Sequence, residues 1–223
     1  MPIFTSLSLL VQFVQYGDID KLDSCRHQRQ SENMDGKESA RQAHVLETAL
    51  AVFVRHGFRK TSIEDIAKAA GISRQGIYLN FRNKDEIFGA AIRKALDDGL
   101  QAANKIFDDD RLTLEEKLLK GLDEWFGRHA GLLHPEASDL VAECERVLGD
   151  AVAKTSSSFQ KKLAKVIVTS SAKKTKGTDK RAATIADMLC ACGFTWKHNL
   201  SSRQEFLEKM GEAIHLSCRD LGD

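Results

Sequence analysis

An all-α fold follows from three features of this sequence. Apolar residues recur at i, i+3, i+4 and i+7 in one segment after another from Arg41 onward, the spacing of amphipathic helices. Ser, Thr and Asn residues stand just before those stripes, with Glu or Asp three positions later, as in helix-start capping boxes. The 223 residues include two prolines, and no segment alternates persistently enough to read as a strand. A chain of this length buries a core as one larger domain or two smaller ones.

The elements follow in order. Leu46, Ala49, Leu50 and Phe53 form the inward stripe of a helix over Arg41–His56, and Gly57 sits where a left-handed residue closes it. Thr61 with Glu64, or Ser62 with Asp65 one residue later, starts a second helix carrying Ile63, Ile66, Ala67 and Ala70, which Gly71 ends. Ser73 caps a third, very short helix with Gly76, Ile77 and Tyr78. Asn83 with Glu86 opens a long helix through Ile87, Phe88, Ala91, Ile92, Ala95 and Leu96. Thr113 with Glu116 opens another, with Leu118, Leu122, Trp125 and Phe126 inward. Pro135 suits an early helical position, where its missing N–H costs nothing. Residues 156–168 form a further helix with Phe159, Leu163 and Val166. The last two helices fall near 180–199, apolar and interrupted by Gly193, and near 202–221, with Phe206, Met210, Ile214 and Leu216 or Leu221 inward.

Composition narrows the classes. Hydrophobic residues make up 42% and charged residues 29%, ordinary values for a globular protein. Five cysteines, an odd number outside a small secreted framework, indicate a reduced interior rather than disulfides. No run approaches the roughly 18 apolar residues of a membrane span. The net charge of +1 is unevenly spread: residues 37–94 hold 11 basic and 6 acidic residues, whereas residues 1–36 hold 3 and 5. That basic module is where a polyanion would bind.

The opening "MPIFTSLSLLVQFVQYG" lacks the basic start and small-residue exit of a signal peptide. The polar, aperiodic stretch that follows marks residues 1–35 as a disordered extension, with Met34 as the expected biological start. Residues 38–96 are expected to form one domain and residues 97–223 another.

Two helices joined by a Gly-containing turn make a helix-turn-helix. The short second helix has the size to enter a DNA major groove. Arg74 and Gln75 lie at its N-terminal end, where an Arg pairs with guanine and a Gln with adenine. Tyr78, one turn on, reaches a phosphate or a thymine methyl. The hydroxyls of Thr61 or Ser62, the Lys84 ammonium and the helix starts beside them are placed for phosphate oxygens. A plain helical packing module with a polar surface is the alternative.

The stretch "HGFRKTSIEDIAKAAGISRQGIYLNFRNKDEIF" resembles the TetR family of bacterial transcriptional regulators. The family's pattern is met by Gly57-Phe58, Thr61-Ser62, Ile66-Ala67, Ala70-Gly71, Ser73, Tyr78, Phe81 and Lys84. One departure stands out: many members carry Gly where this chain has Gln75, with Gly76 following. The strong match covers residues 40 to 96.

The resemblance implies a cytoplasmic, nucleoid-associated homodimer that binds pseudo-palindromic double-stranded operator DNA. Its DNA-binding residues would be Thr61, Ser62, Ser73, Arg74, Gln75, Gly76, Tyr78 and Lys84. It further implies a repressor released by a small-molecule effector, with the last two helices forming a four-helix bundle with the partner. Candidate effector contacts are Trp125, His129, Cys144, Phe159 and Phe194. No cofactor, metal site or membrane contact is expected. His129, His134 and Glu136 lack a metal spacing, and Cys190 and Cys192 diverge by about 200° on a helix. An enzyme would need a nucleophile and base, a metal set or a phosphate loop, and "GISRQG" follows no strand. Ligand-independent or redox-responsive regulation, and a dimerisation module without DNA, are the rival readings.

Overall fold

A computed structural model describes residues 34–131, 139–171 and 177–219, without the side chains of residues 34–38, His129 and Val141. Among the described residues there are nine α-helices and no strand. They are α1 Met34–His56, α2 Ile63–Ala69, α3 Arg74–Tyr78, α4 Lys84–Phe107, α5 Leu114–Trp125, α6 Leu140–Leu148, α7 Ala151–Ser170, α8 Thr178–Asn199 and α9 Arg203–Cys218. A 3-10 turn, Gly127–His129, follows α5. The extension 1–33, Pro135 with its neighbours His134 and Glu136, and the connection 172–176 lie outside the described residues.

The helix starts form for the capping reasons visible in the sequence. Ser62, not Thr61, caps α2: its hydroxyl accepts from Asp65 N, and the Asp65 carboxylate accepts from Ser62 N at 2.9 Å. The Ser62 hydroxyl, which donates to Asp65 Oδ2 at 2.6 Å, and then the Ser62 N–H hold Asp65 below the usual carboxylate range. Thr113 and Glu116 make the same reciprocal pair at α5. Ser73 accepts from Gly76 N at 3.1 Å, Asn83 from Glu86 N at 2.8 Å and Ser202 from Glu205 N at 3.2 Å. Gly57 and Gly71 both take the left-handed backbone expected after a helix, with φ of 81° and 66°.

The chain divides into two bodies. One holds residues 34–95 together with 139–149. Its core is an aromatic triad: the rings of Phe53, Phe58 and Phe88 lie 5.0 to 5.7 Å apart, within the range where edge and offset contacts are favourable. Ala49, Leu50, Ile66, Ile77, Phe81, Ile87 and Ala91 fill in around it. Helix α6 belongs to this body although it lies far along the chain. Its stripe of Leu140, Cys144 and Leu148 is buried. Asp139, just before the helix, accepts from Phe58 N at 3.1 Å and Arg59 N at 2.7 Å. Arg146 bonds Asp85 and Glu143 and lies over the Phe58 ring.

The other body holds residues 96–131, 150–171 and 177–219. Trp125 and Phe159 stack at its centre, centroids 4.5 Å apart and 8° from parallel. Phe107 and Phe126 pack on Phe159. Helix α8 turns Ala182, Ile185, Ala186, Leu189, Gly193 and Lys197 inward, and α9 turns in Phe206, Met210, Ile214 and Cys218. Gly193 does not interrupt α8, contrary to the expectation. A Cβ there would stand 2.5 Å from Phe126 Cδ2, so the glycine permits close packing rather than a break.

Candidate nucleic-acid interface

The α2–α3 pair has its apolar faces inward and a polar edge outward. Ile66 and Ala67 from α2 and Ile77 from α3 are buried at 0–1% exposure. Ile72 N donates to Ala67 O at 3.0 Å, and Gly71 N to Lys68 O, which sets the tight turn. Phe81 anchors the end of α3, and its N–H donates to Ile77 O. With Ile77 and Phe81 held inward, the opposite face of α3 must look outward.

That face carries the residues the sequence singles out. Ser62, Ser73, Arg74, Gln75 and Tyr78 are exposed, and Gly76 is half-buried. Arg74 reaches along the helix to Tyr78: Nη2 donates to the phenol oxygen at 3.2 Å, with the guanidinium 5.6 Å from the ring centre. The two side chains form one cationic, aromatic surface, and Gln75 stands beside it with its amide exposed.

Two expected members are placed differently. Thr61 is 2% exposed, and its hydroxyl donates to Gly57 O at 2.7 Å. It finishes the α1–α2 connection because capping fell to Ser62. Lys84 Nζ donates to Phe58 O and Thr61 O, both at 2.8 Å, and lies 4.3 Å from the Phe58 ring centre. Its charge thus satisfies carbonyls of the α1–α2 connection and binds that loop to the start of α4.

Three further exposed residues of this body were not singled out from the sequence. A methyl built on Gly76 would lie 3.9 Å from Arg41 Nη2, so α1 delivers a guanidinium beside the start of α3. Lys60 is exposed just before α2. Leu79 is 81% exposed directly after Tyr78. An apolar side chain at the end of a helix this short has no periodicity to betray its direction. Arg41 lies at the outset of its helical stripe, where the sequence does not show which neighbour it meets.

The proposed effector residues fall in both bodies. Trp125 and Phe159 are stacked in the core of the C-terminal body. Phe194 is half-buried, with its ring 4.9 Å from that of His198. Cys144 is in the other body, fully buried on the inward stripe of α6, where desolvation pushes its thiol up. The side chain of His129 lies outside the described residues. Cys190 and Cys192 are free thiols, both raised above the ordinary cysteine value by burial.

Two helices packed through small residues at a glycine turn, with an exposed Arg-Gln-Tyr edge on the second, define a helix-turn-helix of the DNA-binding type. Residues 45–91 match the family model "Bacterial regulatory proteins, tetR family". Over 65 residues the chain is 43% identical to the HTH-type transcriptional regulator YfiR of Bacillus subtilis, covering 29% of this chain and 32% of that protein. Over 117 residues it is 30% identical to the HTH-type transcriptional repressor KstR2 of Rhodococcus jostii, covering 50% and 57%. The chain therefore spans about a third to about half the length of these curated relatives. A TetR-like transcriptional regulator from Rhodococcus sp. RHA1 has the same fold at a TM-score of 0.56 and 23% identity, over 86% of this chain and 98% of that one. A tetR-family regulator from Streptomyces coelicolor gives 0.58 at 19% identity, over 81% and 80%.

Proposed function

We propose that this protein is a transcriptional repressor, not an enzyme. In this reading it is a cytoplasmic homodimer that binds a pseudo-palindromic operator and leaves it when a small molecule occupies the C-terminal body. The observation that carries the reading is the exposed Arg74, Gln75 and Tyr78 edge on a helix whose other face is locked into a TetR-type domain. Arg74 and Gln75 read base edges. Ser62, Ser73, Tyr78, Lys60 and Arg41 hold phosphate oxygens and set register. Leu79 has the chemistry to meet a thymine methyl. Thr61, Gly76 and Lys84 shape the surface from beneath.

Two-fold symmetry gives the two reading helices the spacing of successive major grooves. The outer surfaces of α8 and α9 supply apolar groups for the pairing. Met188 is 43% and Leu216 72% exposed, and half-buried Ala191 and Cys192 continue the α8 face beyond Met188. An effector releases DNA only if it prefers the conformation that DNA does not, and DNA then weakens the effector by the same factor. In this mechanism α4 carries the change to the reading helices.

A gel shift with the DNA flanking the protein's own gene tests the function. Retardation of that fragment at low salt, competed poorly by unrelated DNA, is the expected result. Failure to retard any promoter fragment at low salt would overturn the regulator reading.

A further inference from the structure

Lys197 ends the inward stripe of α8, one turn beyond the glycine that packs on Phe126. It is 1% exposed, and its Nζ has no hydrogen-bond partner among the described residues. The neighbouring His198 presents a second such atom, its buried Nε2. Phe194 lies between the two on the helix surface: its ring centre is 6.0 Å from Lys197 Nζ and 4.9 Å from the His198 ring. Buried polar groups are otherwise well satisfied in folded proteins. A lone buried cation costs far more than a lone hydroxyl. Desolvation accordingly holds the amine well below the usual lysine range and the imidazole at about 4.

We propose that Lys197, with His198 and the Phe194 ring, is the anchor for an effector carrying a carboxylate on an apolar body. The carboxylate supplies the acceptor that Nζ lacks, with the imidazole as a second donor. Phe194 packs against the apolar part. Such a charge-assisted bond in a dry site is strong and discriminating, whereas a neutral ligand of the same shape leaves the amine unpaired. The inference rests on the reading of the C-terminal body as the effector domain, and it names the class of effector.

The experiment uses the full chain without DNA. Thermal unfolding is followed with octanoate and 4-phenylbutanoate, with the matching amides, and with sodium chloride at equal ionic strength. The carboxylates raise the melting temperature and the amides and chloride do not. Lys197→Met abolishes the shift and weakens carboxylate binding in calorimetry by about 30-fold or more, the scale for removing one partner of a buried charge pair. The same variant, lacking an unpaired buried amine, melts no lower than the parent. Should it not fold, Lys197→Gln takes its place. Equal shifts from acid and amide, no shift from either acid, or unchanged affinity in the variant would each overturn the proposal. Operator binding without any carboxylate is a separate measurement, so loss of one reading leaves the other standing.

Discussion

The carboxylate of Asp139 accepts two backbone hydrogen bonds from residues some 80 positions earlier, from Phe58 N at 3.1 Å and from Arg59 N at 2.7 Å. These N–H groups belong to the connection that follows Gly57, a segment with no ladder of its own to bond to. The contact ties α6 to the DNA-binding body, assisted by the Arg146 bonds to Asp85 and Glu143. Asp139→Ala removes both acceptors and leaves two N–H groups to find water. We expect a loss of about 1.5–3 kcal/mol in urea unfolding, the range for hydrogen bonds to a charged group. Asp139→Asn, which keeps one carbonyl oxygen, should lose less. Equal stability of all three proteins would show that the Phe58–Arg59 connection does not depend on α6.

Much of the body that holds α2 and α3 is legible in the sequence, because its signals are local. Gly57 and Gly71 occupy left-handed positions, and the cap pairs at Ser62, Asn83 and Thr113 lie three residues from their partners. What remained hidden depends on distant contacts. Nothing near Asp139 or Cys144 says that α6 packs on Phe58, since that pairing is set by tertiary geometry. The choice between Thr61 and Ser62 as cap was open by one residue, and that residue decides which hydroxyl faces inward. Gly193 resembles a break in an apolar helix until the Phe126 ring beside it is seen. Lys197 stands near a helix end, where the dipole favours a cation whether or not it is buried. Its stripe position at i+4 from Gly193 was the available signal.

Lys84 separates a structural from a DNA-contacting role. Its ammonium joins two carbonyls of the α1–α2 connection. Lys84→Ala should therefore lower stability by about 1.5–2 kcal/mol, the lower part of the charged-donor range because the side chain is only half-buried. Operator affinity should fall alike for every sequence, as a displaced α2 would produce. Thr61→Val, which keeps the shape but not the bond to Gly57, should behave the same way at smaller size. A change in base preference for either variant would mean that these residues read DNA directly.

Arg74 and Gln75 should behave in the opposite manner. Both are exposed and neither fills the core, so Arg74→Ala and Gln75→Ala should unfold like the parent. Each should relax preference at one operator position by about 1–3 kcal/mol, the discrimination a bidentate side chain–base pair provides. Selection from a random-site library gives the readout. For Gln75 the expected lost base is adenine, and for Arg74 guanine. Uniformly weaker binding with unchanged preference would assign both residues to the backbone instead.

The imidazole of His198 gives the C-terminal body an acid sensitivity whose direction is fixed. Burial, with the adjacent Lys197, lowers it from 6.5 to about 4. In the intervening window the unfolded chain binds a proton that the folded chain does not. Stability from this residue is therefore complete above its unfolded value and is lost as the pH falls from 6.5 toward about 4. His198→Asn removes the titration and leaves a polar side chain of similar reach. The midpoint of urea unfolding should thus drop more steeply between ~pH 7 and ~pH 5 in the parent than in the variant. Carboxylates elsewhere contribute equally to both proteins, so the difference reports His198 together with its coupling to Lys197. Parallel curves would mean that the ring is solvated in solution and titrates normally.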